Sequence, residues 1–373
     1  MESIWTEDLL SGDRPNALSA SRRLFTEIIE PLGDRFEPVD VRRYVKTFSG
    51  VLRRVFPELQ SFDIEGRYAR ISRNRTIQGS PQAIFVLSRV TLGADVAVTS
   101  IVLDAAKRLF PGSRVCFVGP RKNAELFTDV ELFEIPYPRT GTLSERLSVW
   151  PTLQKLFAAP NSVVLDPDSR LTQLGLLPVG RDDDYYFFDS RSYGGEGSES
   201  LVELTKRWMR VPDAQPYIHT GLTAGTFATT VSFGVGENDN KRLPARFESE
   251  VLKLLPQPLL IDRGAGGEEA ERAQQAVADA GVPAQFWEGS FAGFAEHIRR
   301  SRLYIGYDSA GGHVAAACGV PLVGIFRGFL CERMFQRWRP AGNGPIHVIR
   351  VGQETPQEII PLVLAAIREL TSG

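Results

Sequence analysis

The sequence predicts an α/β protein built from two doubly wound, parallel-sheet halves behind a helical N-terminal extension. Three observations predict it. From about residue 83, short apolar runs of strand length alternate with helical periods. The alternation halts in a turn-rich stretch, Val211-Pro-Asp-Ala-Gln-Pro-Tyr217 through Gly221 and Gly225, and then resumes. Residues before about 80 carry apolar side chains at helical spacing instead. The expected organisation is an extension over 1–80, a first α/β domain over 81–215, a second over 216–355, and a closing helix over 356–373.

In the extension, Leu18 to Ile29 and Val41 to Phe56 have helical periodicity, the second with the stripe Val41, Tyr44, Val45, Phe48, Val51, Leu52 and Val55. Arg42 to Arg75 holds nine basic and three acidic residues, which reads as a solvated face or as a surface for an anionic acceptor or a phospholipid headgroup. In the first α/β domain, Ala83 to Ser88, Arg114 to Val118, Glu131 to Ile135, Ser162 to Leu165 and Tyr185 to Phe188 are strands. Asp95 to Phe110, Asn123 to Phe127, Leu143 to Phe157 and Ser200 to Met209 are helices, Pro111-Gly112 stopping the first. In the second domain, strands fall at Thr229 to Phe233, Pro258 to Ile261, Ala284 to Trp287, Leu303 to Gly306 and Leu322 to Phe326. Helices run over Pro244 to Leu255, Glu268 to Ala280, Phe291 to Arg300, Ala310 to Cys318 and Pro356 to Leu370. Strand–helix alternation of this kind implies parallel sheets covered on both faces, with ligands at the carboxyl ends of the strands.

Composition narrows the function. A formal net charge of −2 argues against a general nucleic-acid binder. Cys116, Cys318 and Cys331 have no metal-ligand spacing and read as reduced thiols of a cytoplasmic protein. The N-terminus lacks a signal-peptide pattern, and no apolar run approaches the roughly 18 residues of a membrane span. There is no Gly-x-Ser-x-Gly elbow, no P-loop and no paired Cys/His site. Asp166-Pro-Asp168 and Asp182-Asp-Asp184 resemble acidic metal clusters but read as turns.

The loops after strands carry the chemistry. Tyr304-Ile-Gly-Tyr-Asp308-Ser309-Ala310-Gly311-Gly312-His313 reads as strand, tight turn and helix start, with Asp308 or Ser309 as the N-cap. A helix start presents unpaired N–H groups and a positive dipole end, which favour phosphate. Gly311 and Gly312 keep the approach open, and His313 reaches the same anion. Arg89-Val-Thr91-Leu-Gly93-Ala94-Asp95 places Asp95 at a helix start, either as a cap or as a general base at a cleft edge. Gly234-Val-Gly236 leads to Lys241 and Arg242, either surface cations or partners of a diphosphate. Asp262 to Gly267 is glycine-rich and suits close passage of a base or ribose. Arg327 ends the strand after the Asp308 helix.

Together these loops resemble glycosyltransferase family 9, the family of the lipopolysaccharide heptosyltransferases, over roughly residues 83 to 350. Leu92-Gly93-Ala94-Asp95-Val96 is similar to the family's Gly-Asp loop, with Ala94 inserted. Lys241-Arg242-Leu243-Pro244 is similar to its Lys-Arg-Trp-Pro-like motif, with Leu for Trp. Asp308 to His313 resembles its Asp-(Ser/Thr)-Gly-x-x-His motif, with Ala310 for the usual glycine, and the trailing Ala-Ala-x-Gly-x-Pro is kept. The resemblance implies a GT-B architecture: two Rossmann-like domains facing a central cleft, the last helix packing back across them. It implies inverting transfer from a nucleotide-diphosphate sugar, ADP-heptose by family habit, without a required metal or cofactor. Asp95 would be the general base. Ser232, Gly234, Lys241, Arg242, Asp308, Ser309, Ala310, Gly311, His313 and Arg327 would bind the donor; Arg89, Thr91 and Gly93 fall on the acceptor side. The acceptor would be a glycan, a lipid-linked or a small molecule, met in the cytoplasm or peripherally at the inner membrane face in cell-envelope glycan synthesis. The alternatives are a nucleotide-sugar epimerase of the same fold and a non-catalytic nucleotide-sugar binding protein.

Overall fold

The computed structural model describes residues 4–236, 238–264 and 266–371. The chain divides into two compact units: Met1–Thr91, Val102–Ala124 and Val130–Ala214 form the first, and Leu92–Ile101, Glu125–Asp129 and Gln215–Gly373 the second.

The first unit holds a five-stranded parallel sheet of β1 (Ala83–Leu87), β2 (Arg114–Gly119), β3 (Glu131–Glu134), β4 (Ser162–Asp166) and β5 (Tyr185–Phe187). The order is β3-β2-β1-β4-β5, with Ala83 opposite both Arg114 and Ser162. All residues of β1 and β4 are buried, because both sheet faces are covered, and this is why these strands read as apolar runs rather than alternations.

The N-terminal helices supply part of that cover. Arg14–Arg23 continues into a π-type segment, Leu24–Ile29, and Pro38–Val55 and Ile64–Ile71 follow. The stripe Val41, Tyr44, Val45, Phe48 and Leu52 is buried in one core with Phe25, Phe85 and Leu87, and with Leu171 to Val179 of the loop after β4; Val51 and Val55 are half-buried against it. Polar ties complete the packing. The Tyr44 hydroxyl donates to the Gln173 carbonyl at 2.7 Å, Arg67 pairs with Asp182 at 2.7 Å, and the Leu143 amide donates to Ser21 Oγ at 2.7 Å.

The second unit holds six parallel strands, β6 (Thr229–Ser232), β7 (Leu259–Asp262), β8 (Ala284–Trp287), β9 (Leu303–Tyr307), β10 (Leu322–Phe326) and β11 (Ile346–Arg350). Their order is β11-β10-β9-β6-β7-β8. The chain builds outward through β7 and β8, then returns to place β9 on the other side of β6, with Ser232 beside Gly306. Connections on the two sides of this reversal leave on opposite faces, so a crevice opens at the carboxyl ends of β6 and β9. The last helix, Pro356–Thr371, buries Ile359, Val363, Ala366 and Ile367 and packs on β10, β11 and the Ala245–Leu252 helix of its own unit.

Three features depart from the sequence reading. The helix expected over 143–157 is two, Leu143–Leu147 and Trp150–Phe157, because Pro151 lacks an N–H and its ring would clash with the carbonyl one turn back. The helix expected from Asp95 opens at Leu92. A helix at Glu332–Trp338 and the edge strand β11 are additional, both too short to give a decisive period.

Candidate active site

The crevice between β6 and β9 is lined by the two loops that the sequence marks most strongly. Beyond β9, Ser309 is extended, with φ −155° and ψ 177°, and the Ala310–Ala317 helix begins after it. Ser309 is thus the N-cap by backbone geometry, but its hydroxyl makes no capping bond and is buried without a partner. The first-turn N–H groups of such a helix have no intrahelical acceptor. Gly311, Gly312 and His313 are buried, whereas Asp308, Ser309 and Ala310 are partly exposed. Asp308 does not cap the helix. Its carboxylate accepts from Lys241 Nζ at 2.6 Å, and its carbonyl accepts from the same ammonium at 3.1 Å.

Lys241 is aimed there by a braced loop. Tyr307 of β9 accepts from the Leu243 amide at 3.2 Å and donates to buried Glu248 at 3.0 Å. Arg272 holds the Leu243 carbonyl at 2.6 Å and Glu248 at 2.7 Å. Arg327 donates to the Arg242 carbonyl. Gly328, with φ 73°, passes so close that a Cβ would lie 2.7 Å from the Asn240 carbonyl carbon, so only glycine fits. Arg242 pairs with Glu269 and Asp239, each at 3.0 Å. Glu269 also accepts from the amides of Val235 at 2.9 Å and Gly236 at 3.1 Å. Arg242 and Arg327 therefore hold the loop that carries Lys241. Ser232, at the end of β6, donates to Asp262 at 2.9 Å, and Gly234 follows, where a Cβ would lie 3.5 Å from the Glu269 carboxylate.

His313 is buried, and that burial lowers its pKa; Asp308 raises it and Lys241 lowers it further. Below its ordinary range, the imidazole is neutral at pH 7 and serves as a hydrogen-bonding group rather than a cation. Its ring meets Trp338 edge-on at 6.0 Å.

The Leu92–Ile101 segment also belongs to this unit. A Cβ on Gly93 would stand 3.1 Å from His313 Cδ2 and 3.2 Å from the Ala310 Cα, so glycine permits the two helix starts to touch. Asp95 is no N-cap: it lies inside the helix, opening a π-type segment, Asp95–Thr99. Val90, two residues before that helix opens, has a φ of 61°. Asp95 is fully buried and accepts from Thr99 Oγ1 at 2.6 Å. π-type segments recur at functional sites, but Leu24–Ile29 shows that they also occur elsewhere.

Gly93, Lys241, Asp308, Ala310 and His313 are thus brought together. Thr91 is half-buried at the edge of the first unit. Arg89 turns into the first unit, where it donates to the Pro167 carbonyl at 2.6 Å and Ser190 Oγ at 3.0 Å, 3.9 Å from Asp168. There the expected turn residues Asp166 and Asp168 are buried members of a polar network with Thr172, Tyr185, Ser190 and Arg191. Sequence reading placed Tyr304 and Asp262 at the ends of informative stretches without giving their side chains a role, and passed over Glu269. The glycine at 311 was the available signal for Tyr304, since a Cβ there would meet its hydroxyl at 2.1 Å.

No protein-family model and no curated protein matches the sequence. Solved structures do match. A family 9 glycosyltransferase from Veillonella parvula is 15% identical, with TM-score 0.55 over 78% of this chain and 98% of that one. The E. coli heptosyltransferase WaaC, solved with ADP-2-deoxy-2-fluoro heptose, is 14% identical, with TM-score 0.55 over 75% of this chain and 98% of its own. E. coli ADP-heptose LPS heptosyltransferase II is 16% identical, with TM-score 0.52 over 77% and 99%. The chain therefore has the fold of family 9, GT-B-type glycosyltransferases.

Proposed function

We propose that this chain is a nucleotide-sugar-dependent glycosyltransferase of inverting type that works without a metal. The observation that carries the reading is the convergence of Lys241, the first turn of the Ala310–Ala317 helix and a buried neutral His313 at the β6/β9 crevice. Helix amides and one ammonium are the groups that hold a diphosphate and take up its charge as it leaves. Lys241 is shared with Asp308, so a bound diphosphate competes with that carboxylate. Ser232 and Gly234 line the path along β6, and Arg242 and Arg327 act through the loop they brace.

In the proposed reaction the acceptor hydroxyl gives its proton to Asp95. The acceptor oxygen then bonds to the anomeric carbon from the face opposite the nucleotide, and the bond to the diphosphate breaks. One glycosidic bond replaces one glycosyl-phosphate bond, with inversion. Asp95 is assigned the base role from its place after Gly93, the residue that packs on the helix start and His313; its carboxylate is fully buried and bonded to Thr99, so it must be uncovered for an acceptor to reach it. A heptose with adenine as the base is the donor that the structural neighbours bring to mind, since two of them are heptosyltransferases. The acceptor is a sugar hydroxyl of a glycan, a lipid-linked or a small molecule; Arg89, buried against Pro167 and Ser190, is not free to meet it.

Asp95→Asn tests the chemistry. It is expected to cut turnover by roughly 10²–10⁴-fold while nucleoside-diphosphate affinity stays within a factor of two. Unchanged turnover removes Asp95 from the mechanism.

A further inference from the structure

We propose that Tyr304 is a positioning residue of the donor site: its hydroxyl, set beneath the first turn of the Ala310–Ala317 helix, directs the Ser309 hydroxyl onto a phosphoryl oxygen. The inference rests on the donor-site reading above.

Tyr304 lies in the middle of the sheet on β9 and is 0% exposed. Neither its hydroxyl oxygen nor Ser309 Oγ, both buried, completes a hydrogen bond of full geometry, although the Ser309 and Ser232 hydroxyls lie within hydrogen-bonding reach of the phenol. Buried orphan hydroxyls are rare and costly, and a phenylalanine would fill the same space without that cost. The oxygen sits against the first turn of the helix, 2.1 Å from where a Cβ on Gly311 would lie and 2.9 Å from one on Gly306. Gly311 is therefore imposed by this hydroxyl, whereas Gly306 is imposed first by the Ser232 carbonyl oxygen, 2.4 Å from where its Cβ would lie. Ser309 immediately precedes that turn. Burial raises the phenol's pKa, and the Ser309 and Ser232 hydroxyls oppose the rise, which places both serines beside it. Ser232 is already committed to Asp262 at 2.9 Å.

Two hydroxyls remain, each with one proton to donate. Tyr304 donating to Ser309 Oγ satisfies the phenol and leaves the serine proton without an acceptor. A relay of donors must end on an acceptor from outside, and a phosphoryl oxygen at the helix start is that acceptor.

The test uses the full chain with Tyr304→Phe, Ser309→Ala and the double variant. Calorimetry with ADP, GDP, UDP and dTDP is paired with thermal unfolding in the absence of nucleotide. The expected result is a 5- to 30-fold weaker Kd in each single variant and a double variant no weaker than Ser309→Ala alone. The nucleotide-free Tm of Tyr304→Phe is expected to be equal to or above that of the parent. A Tyr304→Phe chain that binds within twofold of the parent overturns the inference while leaving the donor reading intact. So does a nucleotide-free Tm that drops, which assigns the hydroxyl to the fold. A parent chain that binds none of the four nucleotides removes the donor reading and the inference together.

Discussion

Lys241 has two claims on its charge. Asp308 holds the ammonium at 2.6 Å, and the adjoining helix start calls for an anion. Hydrogen bonds to charged groups contribute about 1.5–3 kcal/mol, so Lys241→Ala is expected to weaken nucleoside-diphosphate binding by roughly 10- to 100-fold in a calorimetric titration. Asp308→Asn frees the ammonium and is expected to tighten binding instead. Equal affinities for both variants and the parent contradict the competition between carboxylate and diphosphate. In the first unit, Asp166 and Asp189 are buried, and burial raises each to about 6. Their unfolded values lie near the ordinary 3.9, so the native state binds protons more tightly. The stability each contributes is fully present below pH about 4 and is lost as pH rises through about 6, at roughly 3 kcal/mol per group. Asp166→Asn is expected to remove its share, so the stability difference from the parent shifts by about that amount between pH 4 and 7 in denaturant titrations. A pH-independent difference contradicts the assignment. At this scale the motif residues were legible because their chemistry is local: a lysine near a strand end, glycines before a helix. Glu269 and the Arg89–Asp168–Arg191 network were not, because nothing adjacent in sequence reveals partners that come from elsewhere in the chain, and Tyr304 left its trace only in the glycine at 311.

The elements were legible wherever one period dominated. Buried parallel strands such as Ala83–Leu87 and Leu322–Phe326 stand out as apolar runs between turns, and the Pro38–Val55 helix shows its stripe plainly. The break at Pro151 follows from a single residue's missing donor. The Leu92 start was hidden because Asp95 has the residue type of an N-cap but lies inside the helix. What the N-terminal helices pack on was hidden as well, since their contacts reach residues more than a hundred positions away. Phe48 is fully buried in that shared core, so Phe48→Ala is expected to cost about 3–5 kcal/mol in chemical denaturation. A cost below 1 kcal/mol contradicts the shared core. At the site, Gly311→Ala drives a Cβ to 2.1 Å from the Tyr304 hydroxyl. It is expected to cost about 1–3 kcal/mol, partly recovered in a Tyr304→Phe background. Full additivity of the two changes rules out the contact.

For the whole molecule, two doubly wound sheets each place loops at the carboxyl ends of their strands, and the second gathers the groups suited to a diphosphate. Among the described residues, no helix is long and apolar enough to cross a membrane. The central claim is that the β6/β9 crevice binds a nucleoside diphosphate. Thermal unfolding of the full chain with ADP, GDP, UDP and dTDP, with and without magnesium, tests it most directly. A ligand at one hundred times its Kd stabilises the native state by about 2.7 kcal/mol. The account predicts a clear rise in Tm with one base, unchanged by magnesium and lost in Lys241→Ala. No rise with any of the four, or a rise that survives Lys241→Ala undiminished, contradicts it.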